Sequence, residues 1–277
     1  MASTAKKRAH RVRGRLIRVG RPEWHVLPSF LVLGAMKAGT SALFHYLKSH
    51  PGVVAPRVKE LNYFGAPHRY ESFGDYRREF PHRLYMQWPR RRISGEATPF
   101  FSHPLGPARV RAALPDVPMV VLLREPVSRA HSHFHHARRH GHEPLETFAE
   151  AVAAEPGRLA AVMEQVRAGD DTVQPRWAKW AYLHKGMYAD HLEAWFAHFP
   201  RDQILVLRSE DLRDHPAETF ATVLEHLGLG PAPASMSFAP RHEGTYEEMD
   251  PALKAGLDTH FADSNRRLRQ LVGISWP

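Results

Sequence analysis

The sequence predicts an α/β fold of three layers, a central parallel sheet flanked by helices. Three observations predict it. Residues 30–33, 119–123 and 203–207 are apolar runs of strand length, the pattern of strands buried on both faces. Each run is followed by a stretch with helical spacing. Glycine or proline marks several of the junctions between the two patterns. Strands alternating with helices build a parallel sheet covered on both sides.

The elements follow in order. Residues 30–33 (FLVL) form a buried strand that ends at Gly34. Residues 40–49 place Leu43, Tyr46 and Leu47 on one helical face, and His50-Pro51-Gly52 stops that helix. Residues 53–55 read as a short strand. Residues 60–92 are rich in aromatics and arginines without a regular period, so loops and a short helix are expected there. Residues 92–94 read as another strand and 107–114 as a helix. The run 119–123 (MVVLL) is the second strongly apolar strand, and Pro126 opens the next helix as a first-turn residue. Helices are expected over 145–154 and 177–183. A further helix over 188–199 sets Leu192, Trp195, Phe196 and Phe199 on one face. The third strong strand is 203–207. Residues 216–227 are helical up to Gly228, and 251–271 form a last helix.

The chain has 277 residues, and its composition is that of an ordinary globular protein, with 43% hydrophobic and 24% charged residues. One domain is expected over 29–277. Residues 1–28 read as a basic, flexible tail carrying Lys6, Lys7, Arg8, Arg11, Arg13, Arg15, Arg18 and Arg21. The chain contains no cysteine, which excludes disulfides and thiolate metal sites. No apolar run approaches the roughly 20 residues of a membrane span. No apolar h-region follows the basic start, as a signal peptide would require. The expectation is a soluble, cytoplasmic protein with no stable membrane insertion. The formal charge of +9 implies anionic partners. No aromatic residue interleaves the basic tail before Trp24, so a solvated arm is expected rather than a nucleic-acid surface.

The motif Gly34-Ala35-Met36-Lys37-Ala38-Gly39-Thr40-Ser41 lies between a buried strand and a helix. A loop there presents backbone N–H groups and the positive end of a helix dipole to an anion. Lys37 adds a full charge, and Thr40 and Ser41 add hydroxyl donors. The two glycines have the spacing of a nucleotide P-loop, so the fold is P-loop-like. The lysine departs from that pattern: an ATP or GTP loop needs it directly after the second glycine, where this chain has Thr40. The strand 119–123 ends in Arg124, where an NTPase would carry a magnesium-binding aspartate. Arginine clamps phosphate instead. Ser128 and Ser132 lie one turn apart on the following helix, so Arg124 and Ser132 are expected to share a phosphate. Two anion sites at the ends of two buried strands suit a nucleotide phosphorylated at both ends.

These motifs resemble those of the sulfotransferases that use 3′-phosphoadenosine 5′-phosphosulfate (PAPS). The closer branch holds the heparan sulfate sulfotransferases and bacterial relatives. FLVLGAMKAGTSAL resembles the family's 5′-phosphosulfate loop and LLREPVSRAHSHF its 3′-phosphate motif. KELNYF and GEATPFF resemble two further family segments. KGMYADHLEAWFAHFP, ILVLRSEDL and 265–276 are similar to its second half. The resemblance spans nearly all of 30–277 and implies roles. Lys37 would contact the sulfate and the bridging oxygen of the leaving phosphate. Ala38, Gly39, Thr40 and Ser41 would hold the 5′-phosphate, and Arg124 and Ser132 the 3′-phosphate. Glu60 would be the general base, with Lys59 beside it at the sulfonate. Arg241, Gly244 and Thr245 would belong to a loop closing over the nucleotide. Glu96 is a second acidic candidate, or a residue that orders the loop before Pro99. Asn62 stands where several animal members carry a histidine. A bacterial-type cytoplasmic enzyme is implied, with PAPS as co-substrate, no metal requirement, and an acceptor that stays open among glycan, glycopeptide, lipid and small metabolite. The rival readings are a nucleotide kinase or NTPase and a basic nucleic-acid-binding protein. The histidines between His131 and His142 invite a metal reading, but no HExxH and no carboxylate set accompanies them, so no metal site is expected.

Overall fold

The structure is a computed structural model, and it describes residues 20–87, 92–170, 179–239 and 248–276. Among the described residues a four-stranded sheet runs β1 (Leu31–Gly34), β2 (Glu96–Ala97), β3 (Met119–Leu123) and β4 (Ile204–Arg208), in spatial order β2-β1-β3-β4. All three pairings are parallel. Every residue of β1 and β3 is buried, because these central strands are covered on both faces. β4 stands at one edge and is only half-buried.

Helix α1 (Thr40–Ser49) follows β1 and buries Leu43, Phe44, Tyr46 and Leu47. Two short helices, α2 (Phe73–Arg77) and α3 (Arg83–Gln87), lie in the aromatic stretch, and α4 (Gly106–Ala113) precedes β3. Helix α5 (Pro126–Arg139) starts with proline and is capped by Glu125, whose carboxylate accepts from the N–H groups of Val127 and Ser128. Helix α6 (Phe148–Arg167) opens with a Thr147/Glu150 capping box. It runs through Pro156 and is longer than the 145–154 the sequence suggests. α7 (Tyr188–Phe196), α8 (Ser209–Asp214), α9 (Pro216–His226) and α10 (Pro251–Val272) complete the described helices. Gly273 ends α10 in the left-handed conformation at φ 75°.

Two main apolar bodies hold the layers, beside a smaller one of Leu159, Val162, Met163 and Val166 of α6 with Ala181. The larger surrounds the sheet and includes Phe30, Phe100, Tyr188, Trp195 and Phe220. A second lies between α5, α6 and α10, around Phe134, Phe148, Tyr182 and Phe261.

The outer strands differ from expectation. Residues 53–55 and 92–94 are reduced to one isolated parallel bridge, Val53 to Ile93. The strand that extends the sheet is β2, inside the GEATP segment. Of the expected helix 177–183, residues 177 and 178 lie outside the description, and the described part is helical only at 179–180 before the chain turns at 182–183. α8 was not anticipated from the sequence.

Candidate active site

β1 and β3 are parallel neighbours, so the loops that follow them leave the same edge of the sheet. The loop after β1 carries Lys37 at φ 69° and Gly39 at φ 87°. Gly39 is the N-cap of α1, and no side chain accepts from the first turn there. Its N–H groups and the positive end of the helix therefore face outward as an anion seat. Ala38 is buried beneath this turn, Thr40 is buried, and Ser41 is exposed. Gly34 must be glycine: its φ is 152°, and an added Cβ would stand 2.9 Å from the Cβ of Phe101.

Arg124 leaves β3 and donates from Nη1 to the carbonyl of Lys37 at 3.4 Å. The Arg124 guanidinium is thus held against the backbone of the loop that carries Lys37. Tyr188 fixes the strand end by donating to the Arg124 carbonyl at 2.8 Å. The Glu125 N–H donates to Glu210 at 3.0 Å, and the indole of Trp276 donates to the same carboxylate at 3.1 Å. The C-terminal segment is in this way tied to the base of the site.

Beside Arg124 lies a cavity of 400 Å³ lined by Ser128, His131, Glu248, Met249 and Lys254 among others. Ser132 sits one turn further along α5, buried beyond the residues that line this cavity. Ser128, one turn nearer the strand, faces it. A second cleft of 230 Å³ lies between α1 and residues 55–59, with Ser41, Lys48, Arg57 and Lys59 on its walls.

Glu60 follows directly. Its side chain is 52% exposed and is ion-paired to Lys59. Its φ is 63°, and that of Asn62 is 57°. Among the described residues the non-glycine residues with positive φ are Lys37, Glu60 and Asn62. Left-handed backbone at residues other than glycine is held only where the surroundings over-determine it, and it clusters at functional sites. Here it falls on the two residues singled out for chemistry and on Asn62, two residues after Glu60.

The structure also adds residues that sequence reading passed over. His136 stands one turn after Ser132 on α5. Burial, then the charge of Lys37, lowers its pKa to about 4, so its imidazole is neutral and close to the phosphate loop. Its signal in the sequence was hidden among neighbouring histidines. Lys185 is buried, and its ammonium reaches Met36 Sδ at 3.4 Å under the same loop. Burial lowers its pKa to about 7. Among the described residues no three histidine, aspartate or glutamate side chains are grouped to hold a metal ion. His131 and His135 instead contact each other through their Nε2 atoms at 2.9 Å. Arg241, Gly244 and Thr245 lie outside the described residues.

A parallel α/β sheet with an anion loop after one central strand and an arginine after its neighbour defines a P-loop-like α/β fold. The sulfotransferase domain model matches residues 27–243, and the chain belongs to that family. The chain is 27% identical over 213 residues to the human bifunctional heparan sulfate N-deacetylase/N-sulfotransferase 2, covering 74% of this chain and 22% of that protein. It thus spans about a fifth of that relative's length. It is 24% identical to the membrane-associated sulfotransferase kil1 of Dictyostelium discoideum, covering 89% of this chain and 65% of that one. The crystal structure of a sulfotransferase from Alicyclobacillus acidocaldarius superposes with a TM-score of 0.66 at 29% identity, covering 91% of this chain and 98% of that one. Mouse sulfotransferase SULT7A1, solved with PAP, superposes with a TM-score of 0.52 at 15% identity over 92% of this chain and 90% of that one, and shares the fold.

Proposed function

We propose that the protein transfers the sulfuryl group of PAPS to a hydroxyl or amine of its acceptor, with Glu60 as general base. The observation that carries the reading is the contact between Arg124 and the Lys37 loop at the ends of adjacent strands. One anion seat holds the 5′-phosphosulfate through Lys37 and the turn 38–41. The other, at Arg124 with Ser128, takes the 3′-phosphate, and Ser132 stands buried one turn behind it on α5. A donor bridging the two seats neutralises cations that the fold brings together.

The transfer is an in-line displacement. The acceptor oxygen or nitrogen forms a bond to sulfur, and the bond from sulfur to the bridging phosphate oxygen breaks. The electron pair leaves on the phosphate, where Lys37 stabilises the growing charge. The acceptor proton passes to the Glu60 carboxylate. Lys59 sits beside Glu60 and is suited to the sulfonate oxygens. The neutral imidazole of His136, near Lys37, is a second proton acceptor at the same loop.

Calorimetric titration with 3′-phosphoadenosine 5′-phosphate (PAP), against ADP and against magnesium-ATP, tests the reading. PAP binds without metal and more tightly than ADP. Arg124→Ala weakens PAP by about 10- to 100-fold, the worth of a charge-assisted contact. Preference for magnesium-ATP, or equal affinity for PAP and ADP, overturns the assignment.

A further inference from the structure

Glu96 lies on β2, paired with Leu31 of β1, and its side chain is completely buried. Neither carboxylate oxygen has a hydrogen-bond partner among the described residues, and neither does the equally buried hydroxyl of Tyr76. These orphan groups face one another beneath the segment that carries Glu60. Tyr76 stacks on Tyr63, with ring centroids 4.8 Å apart and planes at 24°. Thr98 Oγ1, two residues after Glu96, accepts from the Asn62 N–H at 3.2 Å. Tyr70 donates to the Leu61 carbonyl at 3.0 Å. The turn from Glu60 to Tyr63, with its two left-handed residues, is therefore seated on a block built from residues 70–76 and 96–98.

We propose that Glu96 is a positioning residue for Glu60: a carboxyl buried without a hydrogen-bond partner behind the 60–63 turn, whose protonation state sets how firmly that turn is seated. The proposal rests on the reading of Glu60 as the base.

A carboxylate with no hydrogen-bonded partner is costly in an apolar interior, and the acid form avoids that cost. Burial pushes the Glu96 carboxyl up to about 7. The Thr98 and Tyr76 hydroxyls oppose that rise without reaching hydrogen-bond geometry, and the charge of Glu60 adds to it. Burial, then Glu96 itself, raises the Tyr76 phenol well above its ordinary range, so Tyr76 stays a neutral donor. The groups facing Glu96 are thus Tyr76, with Tyr70 and Tyr63 beyond it, Thr98 on its own strand, and Glu60. Below neutrality the Glu96 carboxyl is neutral, and the charge acting on it from the turn is that of Glu60. As pH rises through 7 a second charge forms behind the turn, which repels the first and loosens the seat.

The test is nuclear magnetic resonance of the full chain, with isotope-labelled glutamate carboxyls and backbone amides, in wild type, Glu96→Gln and Glu60→Gln. One carboxyl is expected to titrate near pH 7 and to vanish in Glu96→Gln. The Asn62 and Tyr63 amides should follow that same midpoint in wild type and stop doing so in Glu96→Gln. In Glu60→Gln the Glu96 midpoint should move down, because coupling between two sites is reciprocal. A carboxyl that titrates near pH 7 while the amides stay silent, or no glutamate midpoint above about pH 6, overturns the proposal. The base role is read separately, as turnover of PAPS with water in place of the acceptor. Unchanged turnover in Glu60→Gln overturns the base role and the positioning role with it. Lost turnover together with silent amides overturns the positioning role alone.

Discussion

At the scale of single residues, chemistry and stability separate cleanly at Glu60. Its ion pair with Lys59 is solvent-exposed, and such pairs contribute little to folding. Glu60→Gln keeps the side-chain volume and the backbone conformation while removing the base. It should lower turnover about 10²- to 10⁴-fold, change unfolding free energy by less than about 0.5 kcal/mol, and leave PAP affinity unaltered. Stopped assays with radiolabelled PAPS, beside calorimetry with PAP, read both quantities. Turnover within about twofold of wild type would remove Glu60 from the mechanism. This residue was also the least legible one in the sequence. A Lys-Glu dipeptide in an aromatic loop has the pattern of a surface pair, and only the resemblance to a family picked it out. Lys37 and Arg124 were legible because each follows a buried strand, where a cation is informative. His136 was not, because a run of histidines on one helix does not say which of them the fold turns toward a loop far away in sequence.

At the scale of elements, the three apolar strands were readable because burial on both faces demands uninterrupted hydrophobic runs. β2 was not readable, since it is two residues long and carries a glutamate. Its register depends on tertiary contact with β1, which the local pattern does not encode. The residue that permits this contact is Gly95. A Cβ there would stand 2.4 Å from the carbonyl oxygen of Phe30 and 2.6 Å from its ring. The backbone oxygen cannot yield without pulling β1 out of register. Gly95→Ala is therefore expected to destabilise the fold by about 1–3 kcal/mol through overpacking. It should also displace Glu96 and the 60–63 turn, so turnover should fall even at temperatures where the variant is folded. Urea denaturation gives the first effect and the PAPS assay the second. A variant as stable and as active as wild type would mean that β2 does not pack against Phe30 as described. Helix α6 shows the opposite limit of local pattern: the sequence suggests a helix over 145–154, but it continues through Pro156 to Arg167, and beyond the proline it buries Leu159, Val162, Met163 and Val166 beside Ala181.

At the scale of the whole molecule, the buried ionisable groups set a direction for pH dependence. His103 and His191 are buried, and burial lowers their pKa values to about 3 and about 4. Burial lowers buried His133 well below its usual range as well. Each of these bases binds a proton in the unfolded chain below about pH 6.5 and refuses it in the folded one. Their contribution is therefore complete above about 6.5 and is lost as pH falls toward the folded values. At about pH 5 the loss amounts to about 2 kcal/mol for each fully buried histidine. Glu96 acts in the opposite sense. Its raised carboxyl favours the folded state fully below about 4.5, and that contribution is lost as pH rises through about 7. Lys185, lowered to about 7, adds slope only on the alkaline side, where stability rises between about 7 and 10.5. Between pH 5 and 6.5 three buried histidines outweigh one glutamate, so the protein should be acid-labile. Guanidinium unfolding at pH 7 and at pH 5 should show a lower midpoint at pH 5, with net proton uptake on unfolding. His191→Gln should flatten that dependence, because it removes one titrating base while its amide can still donate to the His184 carbonyl that the imidazole meets at 2.9 Å. A midpoint that is higher at pH 5 would mean that Glu96 outweighs the histidines, and that the polar layer beneath α5 and α7 is hydrated enough to accept their protons.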